Sequence, residues 1–307
     1  MTPPPDRGRA LAAQTGEALV ATARRVDALL PDYLPPASPY AGNLGAALGH
    51  TLQQGKRVRP LVVMQAAATC GLPEDLVLPT ACGFELLHTA TLIHDDLPSI
   101  DNADLRRGLP ASHVAFGEST AVLAGDALII AAYAALARQA ECPQTPADRV
   151  VRVIAEFCRY VGAEGVLGGE AADIAGEQQP PELALLSYIH HAKTAALFVG
   201  AARAGAILAG APEAHVEQFG AFAEQLGLLF QVTDDLLDAT GDAAALGKPA
   251  GADAAAGKQT YPAVLGLEGA QRYAQELADE TLAAAAALPA RPELWSGLVW
   301  LVLLRQT

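Results

Sequence analysis

Leu92-Ile93-His94-Asp95-Asp96-Leu97-Pro98-Ser99-Ile100-Asp101 is the stretch on which the reading of this chain turns. Upstream of the aspartates stand Leu86, Leu87, Ala90 and Ile93, spaced as on the buried face of a helix that arrives at them. Pro98 disfavours helical geometry at Leu97, so the helix is expected to end there. On an unbroken helix Asp101 would point about 240° further round than Asp95, at roughly 100° per residue. A break at Pro98 instead allows Asp101 to fold back towards Asp95.

A second acidic cluster reads Phe230-Gln231-Val232-Thr233-Asp234-Asp235-Leu236-Leu237-Asp238. Asp234 and Asp238 are four residues apart and share one helical face. One Asp-Asp pair is ordinarily a helix cap or a solvated acidic face. Two clusters, each closing an apolar helix, point to chemistry. Crowded carboxylates repel, and magnesium answers that repulsion by bridging hard oxygen ligands to phosphates. The glycine and glutamate of a calcium-binding EF-hand loop are missing.

Outward from these clusters the chain of 307 residues reads as helix after helix, beginning with one from about Ala10 to Leu30. Breaks are expected at 71–75, between Pro98 and Pro110, at 142–146, at 176–182 and at 241–258. No period-two alternation suggests a strand, and no linker or repeat divides the chain. The expectation is a single all-α domain over residues 11–307, preceded by a Pro-rich disordered tail over 1–10.

With 34 acidic residues against 20 basic ones the formal charge is −14, which excludes a nucleic-acid binder that works by counterion release. Such a chain still binds an anion if divalent metal lies between them. Cys70, Cys82, Cys142 and Cys158 lack CxxC spacing, so neither zinc nor a disulfide framework is expected. The start, MTPPPDRGRA, has no apolar signal core, and the longest apolar stretch, Ala127 to Ala137, is short for a membrane span. A cytoplasmic protein is expected.

The scarce cations gather at the same punctuation points. Gly55-Lys56-Arg57-Val58-Arg59-Pro60 precedes a helix that Pro60 is suited to open. Arg106 and Arg107 follow the first cluster, Lys193-Thr194 lies at a histidine-flanked helix start, and Lys248 and Lys258 sit in the glycine-rich stretch after the second cluster. Arginine forks match phosphate oxygens and lysine acts as a point charge, so the arrangement suits a metal-bridged diphosphate. His94 has no second histidine at ligand spacing, so a core or hydrogen-bonding role is expected of it rather than metal ligation.

The blocks GKRVRP, LIHDDLPSIDNADLRRG, AVLAGDALI, HHAKTAALF, FQVTDDLLD and GKPAGADAAAGKQTYP together resemble the trans-isoprenyl diphosphate synthases, or polyprenyl synthetases, from about Leu44 to the C-terminal end. The resemblance implies an orthogonal helical bundle around a central cavity, usually a homodimer, acting on isopentenyl diphosphate and a C5, C10 or C15 allylic diphosphate. It implies three magnesium ions, held by Asp95, Asp101 and Asp234 with help from Asp96, Asp235 and Asp238. Arg106, Lys193, Thr194, Gln231 and Lys248 would hold the allylic diphosphate, and Lys258 would approach its leaving group. Lys56, Arg59, His88 and Arg107 would hold isopentenyl diphosphate.

Product length is expected to depend on the helix before Asp95, where Leu87, Ala90 and Thr91 lie beside the path of a growing tail. Farnesyl-forming relatives of this type commonly carry an aromatic residue at the position of Ala90, so its small side chain favours a C20 product over C15. Leu86, Leu87 and Leu123 are alternative floors. A second departure is Glu170, where many relatives have glutamine ahead of the residue matching Asp173. Terpene cyclases and head-to-head synthases share the aspartate-rich logic but need no second basic cradle. A non-catalytic regulatory subunit would be expected to have lost one cluster, and both are complete here.

Overall fold

Two nearly all-apolar helices lie at the centre, and the others are laid around them. The structure is a computed structural model and describes residues 6–36, 38–240 and 257–305. In chain order its helices are α1 (Asp6–Leu29), α2 (Leu44–His50), α3 (Val58–Thr69), α4 (Leu78–Asp95), α5 (Ser112–Phe116), α6 (Glu118–Arg138) and α7 (Ala147–Val161). There follow α8 (Val166–Gly176), α9 (Leu183–Ile189), a π-helical turn (His190–Ala195), α10 (Ala196–Ala209), α11 (Glu213–Thr240), α12 (Tyr261–Ala287) and α13 (Pro292–Leu304).

Helices α4 and α10 are buried on nearly every side, as their lack of a polar face requires. Helix α4 packs on α6, α10 on α3 and α11, and α11 on α12, while α1 and α13 close the other side. Helix α7 shows the opposite pattern. Val150, Val153, Phe157 and Val161 face inward at helical spacing and its charged residues face out. Phe219 and Phe222 of α11 meet Trp295 of α13 edge-on at 5.5 and 5.4 Å, which fixes the end of the chain against the helix of the second aspartate cluster.

Several expectations change. Helix α1 begins at Asp6, so residues 6–10 are helical rather than part of a disordered tail. Helix α3 opens at Val58, and Pro60 is its third residue. Lys193 and Thr194 lie inside a π turn in the middle of a helical run, not at a helix start. A two-stranded hairpin, Leu105–Arg106 against Leu109–Pro110, stands where no strand was expected. By length and composition Glu74–Asp95, Glu118–Glu141 and Leu183–Ala209 reach the threshold of a membrane span, contrary to the reading of Ala127 to Ala137. Within their most apolar windows 67, 44 and 83% of the residues are buried against protein.

Candidate active site

Asp95 is the last residue of α4 and Asp96 caps it. The chain then doubles back: the Asp101 amide donates to the Asp95 carbonyl at 2.8 Å and Asn102 donates to the Leu97 carbonyl at 3.0 Å. Asp101 therefore returns to Asp95, as the break at Pro98 predicts. Asp96 is 1% exposed and accepts two bonds from Arg106 Nε, at 2.9 and 3.2 Å. The hairpin positions that arginine. Its two-residue turn, Arg107-Gly108, takes φ of 54° and 76°, the double positive φ of a type I′ turn. Asp101 accepts from Lys258 Nζ at 2.8 Å. His94 Nε2 lies 3.1 Å from the Val122 carbonyl, the hydrogen-bonding role expected of it.

The second cluster lies on α11, and Asp234 and Asp238 line one cleft of 230 Å³ together with Lys193, Thr194, Gln231 and Lys258. Thr194 Oγ1 donates to Gln231 Oε1 at 2.8 Å, and Gln231 Nε2 donates to Asp235 Oδ1 at 2.9 Å. The other oxygen of Asp235 accepts the Tyr261 amide at 2.9 Å, which ties the start of α12 to α11. Asp235 is thus an anchor as well as an acid. Lys193 Nζ is 2.6 Å from Asp173 and 2.7 Å from Glu170, both on α8. Lys248 lies outside the described residues.

A separate cavity of 570 Å³ is lined by Lys56, Arg59, His88, Arg106, Arg107 and Phe230. Burial pushes Arg59 down to about 10 against the pull of Glu85, and its Nε has no hydrogen-bond partner among the described residues. A buried, unsatisfied guanidinium N–H is costly unless an anion arrives to accept it. Burial, then the charges of Arg59 and Arg107, hold His88 well below the ordinary histidine range, so it is neutral. Arg57 is set apart from its neighbours: it bonds Asp27 at 2.7 Å and pairs with the buried Glu85.

Three participants were not anticipated from the sequence. Glu85 joins Arg57 to Arg107, which it meets at 3.6 Å. Arg305 sits 3.0 Å from Asp234, donates to the Phe230 carbonyl and lies 3.8 Å over the Phe230 ring. The hairpin is the third. A basic residue following an apolar terminal helix was the only signal available for Arg305. Of the proposed tail-pocket residues, Ala90 and Leu87 are buried in the core with Leu86. Leu123 is 56% exposed, which removes it as a floor formed within this chain.

The donor set fits a hard divalent cation. Asp95 is pushed up to about 7, first by burial and then by the charge of Glu170, against the pull of Lys193. Its carboxylate therefore lacks the compensation that a cation would supply. Among the described residues no three Asp, Glu, His or Cys side chains form a metal cage by themselves. A cation held here would complete its shell with phosphate oxygens or water.

The fold recurs in an apo FPP/GFPP synthase from Zymomonas mobilis, with a TM-score of 0.82 and 31% identity over 94% of this chain and 98% of that one. It recurs also in a geranyltransferase from Helicobacter pylori complexed with magnesium and isoprenyl diphosphate, with a TM-score of 0.81 and 32% identity over 92% of this chain and 95% of that one. Among curated proteins, geranylgeranyl pyrophosphate synthase 9, chloroplastic, from Arabidopsis thaliana is 44% identical over 232 residues, 75% of this chain. That match spans 64% of the Arabidopsis protein's length. The geranylfarnesyl diphosphate synthase, chloroplastic, of Leucosceptrum canum is 43% identical over 86% of this chain and 71% of its own. Residues 42–290 match the polyprenyl synthetase family, and this all-α chain, with both aspartate clusters in place, belongs to it.

Proposed function

We propose that this chain is a magnesium-dependent prenyltransferase that adds isopentenyl diphosphate head-to-tail to an allylic diphosphate, with C20 geranylgeranyl diphosphate as its product. The observation that carries this reading is a basic cavity beside a second cleft in which two lysines stand among aspartates, both lined from one helix. Phe230 lines the cavity of Lys56, Arg59 and Arg107, and the next residue, Gln231, lines the cleft of Lys193 and Asp234. A head-to-tail condensation has two diphosphates to hold, and a cyclase acting on one substrate has no use for the second cleft.

In this reading Lys193, Thr194 and Gln231 orient the allylic diphosphate, and Lys258 reaches the same face from the start of α12. Lys56, Arg59 and Arg107 hold isopentenyl diphosphate, with neutral His88 as a hydrogen-bonding partner. Arg106, paired with Asp96, lines that second cavity and keeps charge on the aspartate side. Asp95, Asp101 and Asp234 would hold magnesium, with Asp96, Asp235 and Asp238 as support. Magnesium there would supply charge neutralisation for the departing pyrophosphate. The residues named bring the allylic C1 and the double bond of isopentenyl diphosphate together. One C–C bond forms, pyrophosphate leaves and a proton is lost, with no protein nucleophile required.

Small Ala90, and relatives named as geranylgeranyl pyrophosphate synthases, support C20 over C15. Val114, Val122, Leu123 and Ile130 present an exposed apolar row on α5 and α6, 40 to 69% exposed, which supports a homodimer. Light scattering of the purified chain tests the dimer, and a monomer at micromolar concentration would rule it out. A cytoplasmic location belongs to the same reading, tested by fractionating cells that express the chain. The central experiment supplies magnesium, labelled isopentenyl diphosphate and separate C5, C10 and C15 primers. A C20 product from all three supports the proposal. Accumulated C15 with an untouched C15 primer means farnesyl synthesis, and no elongation overturns the reading.

A further inference from the structure

Lys193, expected to meet a phosphate, already has two acidic partners inside the protein. Glu170 and Asp173 stand three apart on one face of α8, and their carboxylates lie 2.7 and 2.6 Å from its ammonium group. The approach of α8 to the π turn is built in. A Cβ at Gly169 would lie 2.3 Å from the Lys193 backbone nitrogen, so only glycine allows the two segments to come so close. The clasp is also secluded, with side-chain exposures of 23% for Lys193, 14% for Glu170 and 10% for Asp173.

The charge balance of this face is lopsided. Among the described residues Asp95, Asp101, Glu170 and Asp173 lie nearest to Lys193 and Lys258, four acids to two ammonium groups, and Asp234 and Asp238 line the same cleft. Asp96 and Arg106 neutralise each other beside them. Asp95 registers the crowding, since Glu170 is the largest charge acting on it. A neutral side chain at position 170 would remove one acid and leave Lys193 with Asp173 and the weaker pull of Asp95.

We propose that Glu170 is a positioning residue that makes diphosphate uptake depend on divalent metal, by clasping Lys193 and adding a fourth carboxylate to the face the anion must approach. Among the described residues a metal-free diphosphate meets net negative charge and a lysine held by two acids. With divalent cations the same carboxylates become an attraction, and the anion arrives with its counter-charge. The inference rests on the diphosphate reading of the site and adds to it a metal threshold set by one residue.

Calorimetry with inorganic pyrophosphate tests this on the native protein and on Glu170→Gln, once with chelator and once with saturating magnesium. Without metal, Glu170→Gln is expected to bind pyrophosphate about tenfold more tightly than the native protein, equivalent to ~1.4 kcal/mol. Magnesium titrated into the ligand-free protein is expected to bind about threefold more weakly to the variant, because one carboxylate has left the face. In a Lys193→Met background the gain for metal-free pyrophosphate should shrink to the part due to the repelling carboxylate, and Glu170→Asp, which keeps the charge, should show no tenfold gain. Melting curves confirm that each variant is folded. Equal or weaker metal-free binding by Glu170→Gln overturns the proposal. If both proteins take up pyrophosphate equally with magnesium and equally without it, only the role of Glu170 falls. If the native protein takes up none even with magnesium, the diphosphate reading falls with it.

Discussion

The guanidinium of Arg305 lies 3.0 Å from the carboxylate of Asp234 and stacks over Phe230, so the chain's last described residue closes against the second aspartate cluster. A residue proposed as a magnesium ligand is thus engaged by a protein cation, and burial, followed by the charge of Arg305, lowers the pKa of Lys56. Metal and arginine compete for one carboxylate. Arg305→Gln is therefore expected to lower the magnesium concentration for half-maximal binding by about threefold to tenfold, as follows from ~1 kcal/mol of partly screened attraction. Isothermal titration of the ligand-free protein measures this. An unchanged or higher midpoint would mean that Arg305 does not compete.

Burial raises the pKa of both neighbouring acids, Asp95 and Asp96, but the Arg106 partner of Asp96 should make them respond differently to neutralisation. Burial raises the pKa of Asp96 even against its bonds to Arg106, but Asp96→Asn takes away the close partner of a mostly buried guanidinium and is expected to cost about 1–2 kcal/mol of stability. Asp95 carries charge against burial and Glu170, so Asp95→Asn is expected to raise the metal-free melting temperature by a few degrees, about 1 kcal/mol. Both variants should lose elongation by about 10³-fold, as removal of a charge-stabilising group does. Calorimetric melts in chelator, set beside product formation, separate the two cases. A lower melting point for Asp95→Asn would contradict the charge-crowding account.

What was legible in the sequence follows local rules. The helix stop at Pro98, the return of Asp101 and the shared face of Asp234 and Asp238 depend on residues within a turn or two of each other. The hairpin escaped because strands of two residues are too short to show alternation. The π turn at His190–Ala195 escaped because it uses the same residue types as the α-helix on either side. Arg305 and Glu85 escaped for another reason. Their partners, Asp234 for one and Arg57 with Arg107 for the other, are brought to them by tertiary packing that no sequence spacing encodes.

Ala90 is fully buried one turn ahead of Asp95, inside the core rather than on its margin. Ala90→Phe must therefore displace neighbours, at a cost of about 1–3 kcal/mol for an overpacked core position. If the tail passes this point, the product should shorten from C20 towards C15, with a C15 primer no longer elongated. Chromatography of dephosphorylated products reads the outcome. A variant that folds and still makes the native chain length would remove Ala90 from the determination of length.

His88 sets a limit on acid tolerance. Burial and the charges of Arg59, Arg107 and Arg106 hold its folded-state pKa well below the ordinary value of 6.5, while the unfolded chain titrates near that value. The sign follows directly: as pH falls below 6.5 the unfolded state takes up a proton that the folded state refuses, and stability is lost. The contribution is intact above 6.5 and declines by about 1.4 kcal/mol per pH unit once pH is well below it. His88→Gln keeps a neutral polar side chain without that titration, so its unfolding free energy should fall less steeply between pH 6.5 and 5. Urea unfolding of both proteins across that window measures the difference. Parallel pH profiles would show that His88 takes a proton in the folded state, against the cationic surroundings that Arg59 and Arg107 impose.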